Sequence, residues 1–443
     1  MSSTQTTAPA PSPAGNPRYK HPLLWVPSLY LAMGIPNVTV SVVAAIMYKN
    51  LGLSNEMIAL YTSQMYWPWV LKPLWAPLLE PYRTKRFWVL SMEFIMVAAL
   101  GVVAFSLPLP NYLAMSLAFF WIAGFASATQ DIAADAIYMT TLPPKEQARY
   151  AGVQGMCWNA GAVLASGVLV TATGLLHDNL GLDWVKSWMM IMGGIAVIMA
   201  VIWVWHIRVL PEGEPSALHG AGFTGAIKSL GETWRSFFTK KHIWWMLVVV
   251  FMYRFGAGFI ESFGPLFLLD TRANGGLALS NQLQGSINGT VGTIGFIVGA
   301  LLGGFAAARM TLRRSFVILA LALNVPHVTY YLLSLWMPDN VFVIGLLVTI
   351  EKFGFGFGSV GHMLYMMQQV APGPFKMSHY AFATGVMALT KLSTGAMAGL
   401  VFRWCGQNYQ TFFIFVLIAS IPPIIISWLA PFPVHEEEPR GKA

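Results

Sequence analysis

The sequence predicts an all-α membrane protein whose twelve transmembrane helices form two six-helix bundles. Of its 443 residues, 56% are hydrophobic and 10% are charged, whereas about 25% of residues are charged in an average soluble domain. Twelve apolar segments are long enough to span a bilayer, which takes roughly 20 residues. One long polar stretch divides these segments six and six.

The polar segments outline the rest of the chain. We expect a disordered tail (1–22), a first bundle (23–207), a linker (208–242), a second bundle (243–430) and a second tail (431–443). In the linker, TGAIKSLGETWRSFFTKK predicts an amphipathic helix at the membrane surface, because aromatic and basic residues end it. The predicted spans are 23–48, 55–79, 87–106, 111–141, 148–176, 184–207, 243–269, 281–307, 314–336, 340–370, 377–402 and 409–430.

Basic residues lie mostly at one end of the predicted bundles. That end receives eighteen of the 26 Lys and Arg residues, the other end receives four, and four lie inside spans. Loops rich in Lys and Arg stay in the cytoplasm. We therefore expect both termini and the linker on the cytoplasmic side of a bacterial inner membrane.

Nine ionisable residues lie inside predicted spans. Each would cost roughly 2.5–3.5 kcal/mol at a lipid-facing helix centre, so most of them must face an aqueous cavity or one another. Five acids and four bases also suit mutual pairing. They are Lys72, Glu93, Asp131, Asp135, Arg254, Glu261, Glu351, Lys352 and Lys391.

Two spans carry opposite charges at similar depth. Lys72 in span 2 and Asp131 in span 4 both lie in the third of the membrane nearer the basic end, and Asp135 lies one turn beyond Asp131 on the same face. We expect Lys72 to pair with Asp131 or Asp135 as the latch of a gate. A static ion pair is the alternative.

Acids near the midplane predict proton coupling, because limited solvation favours the protonated form of a carboxylate. Glu351, Glu261 and Asp131 are the candidates, with Glu351 first because it lies near the middle of span 10. Lys352 follows Glu351, but adjacent helix positions point about 100° apart. Lys352 therefore need not neutralise Glu351, whereas permanent pairing of each acid with a base is the alternative.

Polar side chains at mid-depth predict a central cavity, since they must face something other than lipid. Arg254 and Lys391 are central cations, and a partly desolvated cation favours a carboxylate or phosphate, so we expect an anionic solute. The residues expected to line the cavity are Gln64, Gln130, Asn159, Tyr253, Arg254, Tyr330, Glu351 and Lys391.

The loops after spans 2 and 8 match each other. A shift of 228 residues places Lys85-Arg86 on Arg313-Arg314. This resembles the loop signature of the major facilitator superfamily, roughly G-x-x-x-D-R-x-G-R-R. Glu80 keeps the acid of the first loop, whereas Pro81 replaces the following Arg, and Ala308 replaces the acid of the second loop. The resemblance implies a transporter with two repeated halves, and it adds Glu80 to the gate residues.

Three further segments resemble the AmpG permease family, which includes muropeptide permeases, related siderophore permeases and eukaryotic acetyl-CoA transporters. The segments 67–82, 126–136 and 350–367 match its W-x-L-K-x-x-W-A-P-x-x-D, A-x-Q-D-I-x-x-D-A and E-x-x-x-x-G-x-G patterns. The resemblance implies proton-driven import into the cytoplasm. The matching residues are Trp69, Leu71, Lys72, Trp75, Ala76, Pro77, Glu80, Ala128, Gln130, Asp131, Ile132, Asp135, Ala136, Glu351, Gly356 and Gly358.

The solute and some rival functions stay open. A muropeptide or a siderophore ranks ahead of acetyl-CoA, which suits a eukaryotic membrane. An exporter of drugs or metabolites is a rival, although span 5 lacks the proline typical of drug antiporters. A membrane-embedded enzyme is the rival from another class, but the chain has no HExxH motif and no P-loop.

Other partners follow from the same residues. Cys157 and Cys405 form no ligand motif, so no metal or cofactor is expected. The net charge of +8 is carried mostly by Lys and Arg residues that lie at the membrane surface, so no nucleic acid is expected. We expect a monomer in the lipid bilayer whose partners are protons and a small solute.

Overall fold

The protein is built from membrane-length helices. A computed structural model describes residues 21–53, 57, 61, 64–79, 82–213 and 222–434, and these residues contain no β-strand. Within them, eleven helices are long and apolar enough to cross a membrane. We number the helices by span, and α2 denotes the described helical residues of span 2. The helices are α1 Pro22–Asn50, α2 67–79, α3 Lys85–Ser106, α4 Tyr112–Thr141, α5 Pro144–Asp178, α6 Trp184–Val209, α7 Ile243–Leu269, α8 Gly285–Arg309, α9 Leu312–Trp336, α10 Val341–Val370, α11 Lys376–Trp404 and α12 Tyr409–Trp428.

The predicted fold class is confirmed by these helices. Each of the eleven begins and ends within four residues of its predicted span. Span 2 is the exception, because much of 54–63 lies outside the described residues. Long apolar runs fix helix positions well, since every backbone N–H and C=O in hydrocarbon must be satisfied within the helix.

Polar side chains cap several helices where they begin. Thr84 accepts a hydrogen bond from the Phe87 N–H at 3.1 Å, and Asn340 accepts one from the Phe342 N–H at 2.9 Å. Asp183 accepts from the Lys186 N–H at 2.7 Å, and this bond lowers the pKa of the exposed Asp183 carboxyl. Each cap satisfies a backbone donor that has no partner inside its helix.

Each bundle has a core of its own, and a further core joins the two. One core contains residues between Ala32 and Ile202, all from the first bundle. Another contains residues between Phe259 and Val416, all from the second bundle. The joining core contains residues of both, such as Tyr138 and Tyr365. In the second bundle α8 lies directly on α10, because Gly299 and Gly303 face the backbone carbonyls of Phe353 and Phe357. Small residues permit such close helix contact in membranes.

The two bundles meet at the end that carries the linker and both ends of the described chain. We call this the linker end, and the opposite end the open end. Gly152 of α5 lies against the backbone of Leu301 in α8, and Gly304 lies against the Ala148 carbonyl. Gly385 of α11 lies against Pro73 of α2. Glycines therefore let the bundles close tightly at the linker end.

Polar bonds support this closure. Gln368 in α10 donates to the Pro144 carbonyl of α5 at 3.1 Å, which joins the bundles. Lys240, beyond the linker helix Gly222–Phe238, donates to the carbonyls of Val370 and Pro372 at 2.6 and 2.7 Å. Burial lowers the pKa of Lys240 to about 7. An amine has two N–H donors and an ammonium has three, so both forms can make both bonds.

Candidate functional site

A cavity of about 1030 Å³ lies between the bundles. Its walls come from α1, α2, α4 and α5 of the first bundle and from α7, α8, α10 and α11 of the second. It extends from Tyr30, Asp135 and Tyr380 near the linker end to Val42 and Gln284 near the open end. Because the bundles are packed together at the linker end, the cavity is reached from the open end.

The second bundle contributes a cluster of charges to the cavity wall. The Arg254 guanidinium lies 3.0 Å from one Glu261 oxygen, and the Lys391 amine lies 3.9 Å from the other. Arg254 and Glu261 are seven residues apart on α7 and so share one face. The Phe355 ring lies under the Arg254 guanidinium, 4.5 Å away. One acid is therefore shared by two cations that solute can reach.

Glu351 lies behind this wall rather than on it. Its side chain is 2% exposed, and the Lys352 amine lies 3.6 Å from it. Glu351 was expected to line the cavity and does not do so in this structure, and Lys352, which need not have neutralised it, does contact it. Adjacent helix positions do diverge, but the four-carbon lysine chain is long enough to reach back. Lys352 itself lines the cavity, so its amine adds a third cation beside Arg254 and Lys391.

The first bundle contributes the residues near the floor of the cavity. The Lys72 amine lies 4.0 Å from an Asp131 oxygen, and the Tyr30 hydroxyl donates to Asp135 at 2.8 Å. These four residues line the cavity. The structure thus brings Lys72 and Asp131 together, while their role as a gate stays a prediction. Glu80 lies outside the described residues.

Of the other residues expected to line the cavity, only Asn159 does so. Gln130 is buried and donates to Glu93 at 2.9 Å, and Tyr253 donates to the Gly358 carbonyl at 3.0 Å. Tyr330 packs in an aromatic core, and Gln64 is exposed but is not among the residues that line the cavity. Gln130 and Tyr253 lie off the wall because a polar group at mid-depth can be satisfied by a neighbouring helix as well as by water.

Two features of the first bundle were missed from the sequence. Glu93 and His206 are fully buried and lie 2.7 Å apart. Gln154 and Trp158 line the cavity together. Their spacing of four residues places them on one helix face, and this was the available signal for them.

The sequence and the fold match known transporters. A family model described as Major Facilitator Superfamily matches residues 28–400. The chain is similar to the anhydromuropeptide permease of Escherichia coli K12, with 25% identity over 81% of this chain and 69% of that protein. It is also 21% identical to a Rickettsia bellii transporter named AmpG 1, over 85% of this chain and 91% of that one. These matches confirm both resemblances indicated by the sequence motifs.

Solved structures agree on the fold. The E. coli fucose:proton symporter FucP aligns with a TM-score of 0.70 at 13% identity, over 92% of this chain and 97% of that one. A bacterial homologue of the iron transporter ferroportin, in an outward-facing state, aligns with a TM-score of 0.67 at 12% identity, over 91% and 97%. At these identities the likeness concerns the fold alone.

Proposed function

The chain belongs to the major facilitator superfamily, and we propose that it imports a muropeptide-sized anionic solute into the cytoplasm together with protons. The observation that carries this proposal is the row of cations Arg254, Lys352 and Lys391 on one wall of the cavity. Glu261 shares that wall and Glu351 lies behind it, so the wall of the second bundle keeps one net positive charge. Lys72, Asp131 and Asp135 give the wall of the first bundle one net negative charge. An anionic group of the solute would therefore bind on the side of the second bundle.

A muropeptide is the solute that the observations favour. The E. coli relative is named an anhydromuropeptide permease, and a muropeptide carries several carboxylates for the three cations. The cavity of about 1030 Å³ is at the upper end of the range for small-molecule pockets, about 300–1,000 Å³, which suits a large solute. A siderophore is the second candidate from the sequence.

A thermal-shift comparison on purified protein tests the choice of solute. We expect anhydromuropeptide to stabilise the protein, by about 2.7 kcal/mol at a hundredfold excess over its Kd. A ferric siderophore, acetyl-CoA and a neutral oligosaccharide of similar size are the comparison solutes. Stabilisation by the siderophore or by acetyl-CoA, with none by anhydromuropeptide, would contradict the proposal.

We also place the linker end in the cytoplasm of a bacterium, because most basic residues lie there. In a background with Cys157→Ser and Cys405→Ser, we expect Ala443→Cys to react with a membrane-impermeant maleimide only after the cells are opened. Leu180→Cys is the control, since Leu180 is 68% exposed between α5 and α6 at the open end. It should react in intact cells, and the reverse pattern would overturn the orientation.

Proton coupling is proposed to work through competition for cations. In this structure Arg254 and Lys391 hold Glu261, which favours its ionised form. A solute carboxylate that binds these two cations would draw them away from Glu261, and the freed acid could then accept a proton. Release of the solute would restore the ion pairs and return the proton. Glu351, the first candidate from the sequence, lies behind the cavity wall, so it and Asp131 are the alternative carriers.

Amide variants in proteoliposomes distinguish these acids. Glu261→Gln is expected to abolish accumulation driven by an inward proton gradient while solute exchange continues, because a neutral amide resembles the protonated acid. Glu351→Gln and Asp131→Asn are the matched comparisons, and we expect both to keep gradient-driven uptake. Loss of gradient dependence in one of these, with Glu261→Gln still driven, would move the coupling role to that residue.

A further inference from the structure

Gln154 presents an unused hydrogen-bond acceptor to the cavity. The residue lines the cavity and is 5% exposed. Its side-chain oxygen is buried and has no hydrogen-bond partner within the described part of the chain. Buried polar atoms are almost always paired in folded proteins, so an unpaired one at a cavity wall indicates a group that arrives with the solute.

Asp131, on α4, is a second acceptor at the cavity wall. One of its oxygens faces Lys72, and the other is buried beside the Trp69 indole N–H without a hydrogen bond of normal geometry to any residue that the structure describes. Asp135 lies one turn away and accepts from Tyr30. Two carboxylates here face one lysine, one tyrosine hydroxyl and one indole N–H, so Gln154 is the acceptor that has no donor among the described residues.

The two acceptors lie at the same depth. Gln154 is ten residues from Pro144, where α5 begins, and Asp131 is ten residues from Thr141, where α4 ends. At about 1.5 Å per residue, each lies roughly 15 Å from the linker end of its helix. Lys391 is fifteen residues into α11, or roughly 22 Å. Both acceptors are therefore nearer the linker end than Lys391 is, and they belong to the wall formed by the first bundle.

We infer that Gln154 accepts a hydrogen bond from the solute in a second subsite, which lies at the depth of Asp131 and binds the end of the solute remote from its carboxylates. This rests on the proposed function and specifies how the solute lies, from the acceptors of the first bundle to the cations of the second. The ligand class is a hydroxyl or an ammonium group.

Aromatic side chains suit both of these groups. Tyr66 and Trp158 line the same cavity and are half-buried. An aromatic face attracts an ammonium, and it also packs against the C–H face of a sugar ring. A muropeptide has hydroxyls on its sugars and an amine on its peptide. A muropeptide held through either group would bridge the two bundles, with its carboxylates bound to the cations.

Binding measurements on the purified full-length chain test this subsite. The probes are an anhydromuropeptide, its disaccharide alone and its stem peptide alone. Gln154→Leu removes the acceptor at nearly constant volume, and we expect about tenfold weaker binding of the whole anhydromuropeptide, as for the loss of one buried hydrogen bond. Gln154→Glu keeps an acceptor at this position and should restore binding.

Gln64→Leu is the matched control, because Gln64 is exposed and is not among the residues that line the cavity. It should leave the Kd within about twofold, and melting without probe should show that all variants fold. If Gln154→Leu binds only the disaccharide more weakly, the donor is a sugar hydroxyl. If it binds only the stem peptide more weakly, the donor is the amine.

Other outcomes overturn the inference. If wild-type protein binds anhydromuropeptide and Gln154→Leu binds it equally well, the subsite is wrong while the proposed function stands. An equal loss for both fragments would mean altered packing rather than a lost acceptor. If wild-type protein binds none of the probes, the proposed function fails and the subsite fails with it.

Discussion

Replacement of Gly152 by valine is expected to abolish uptake and to hold the bundles apart at the linker end. A Cβ atom at this position would lie 2.5 Å from the Leu301 Cα and 2.6 Å from the Ala300 carbonyl oxygen. Both are backbone atoms of α8, so they cannot move aside as a flexible side chain would. The overlap exists only while α5 and α8 are packed together, and the substitution therefore penalises this conformation selectively.

The size of the effect follows from the cost of overpacking, about 1–3 kcal/mol. Such a cost changes the ratio of the two conformations by roughly 5-fold to 150-fold. Valine adds two methyl groups beyond the Cβ and should be at the upper end of this range. Spin labels at Lys145→Cys and Arg313→Cys, at the linker ends of α5 and α9, would report the separation as a longer distance distribution.

Gly155→Ala is the matched control for this experiment. A Cβ there would lie 3.8 Å from the Ala300 Cβ, which is an ordinary contact, so uptake and label distance should match the wild type. Wild-type uptake by Gly152→Val, together with an unchanged label distance, would show that this contact does not hold the linker end closed.

Replacement of Arg254 by alanine is expected to weaken binding of anhydromuropeptide by about 10-fold to 150-fold. Hydrogen bonds to charged groups contribute roughly 1.5–3 kcal/mol, and Arg254 is a cavity cation that can offer two parallel donors to one carboxylate. The loss of affinity caused by Arg254→Ala should be smaller for a probe whose carboxylates are amidated. Isothermal titration with both probes would measure the difference.

Two variants make the Arg254 result specific. Arg254→Lys should recover part of the affinity, since lysine keeps the charge but not the paired donor geometry. Arg272→Ala also removes an ion-paired arginine, with Asp339 at 2.8 Å, but Arg272 lies outside α7 at the open end and should leave the affinity unchanged. Equal weakening for the charged and the amidated probe would contradict the role of Arg254 in anion binding.

The sequence predicted the depth of charged residues better than their direction. Hydropathy fixed the ends of the helices, and depth along each helix then follows from a constant rise. For that reason Lys72 and Asp131 were expected near each other, and they lie 4.0 Å apart. Arg254 and Lys391 likewise line the cavity, as two cations at mid-depth indicated.

Direction could not be read from single positions. Successive side chains on a helix point about 100° apart, and the packing of neighbouring helices determines which face borders the aqueous cavity. Gln130 and Asp131 are adjacent, yet Gln130 bonds to Glu93 in the protein interior and Asp131 lines the cavity. Lysine length added a second difficulty, because Lys352 reaches the cavity and still contacts Glu351. Which residue of such a pair lines the cavity is determined only by the packing of all the helices.

The most direct test of the account is uptake of labelled anhydromuropeptide into proteoliposomes that contain the purified protein. With an inward proton gradient, we expect the solute to accumulate inside above its external concentration, and a protonophore should abolish the accumulation. Vesicles without protein, and vesicles with Arg254→Ala, are the controls. Uptake that proceeds equally with and without the gradient, or no uptake of this solute at all, would contradict the account.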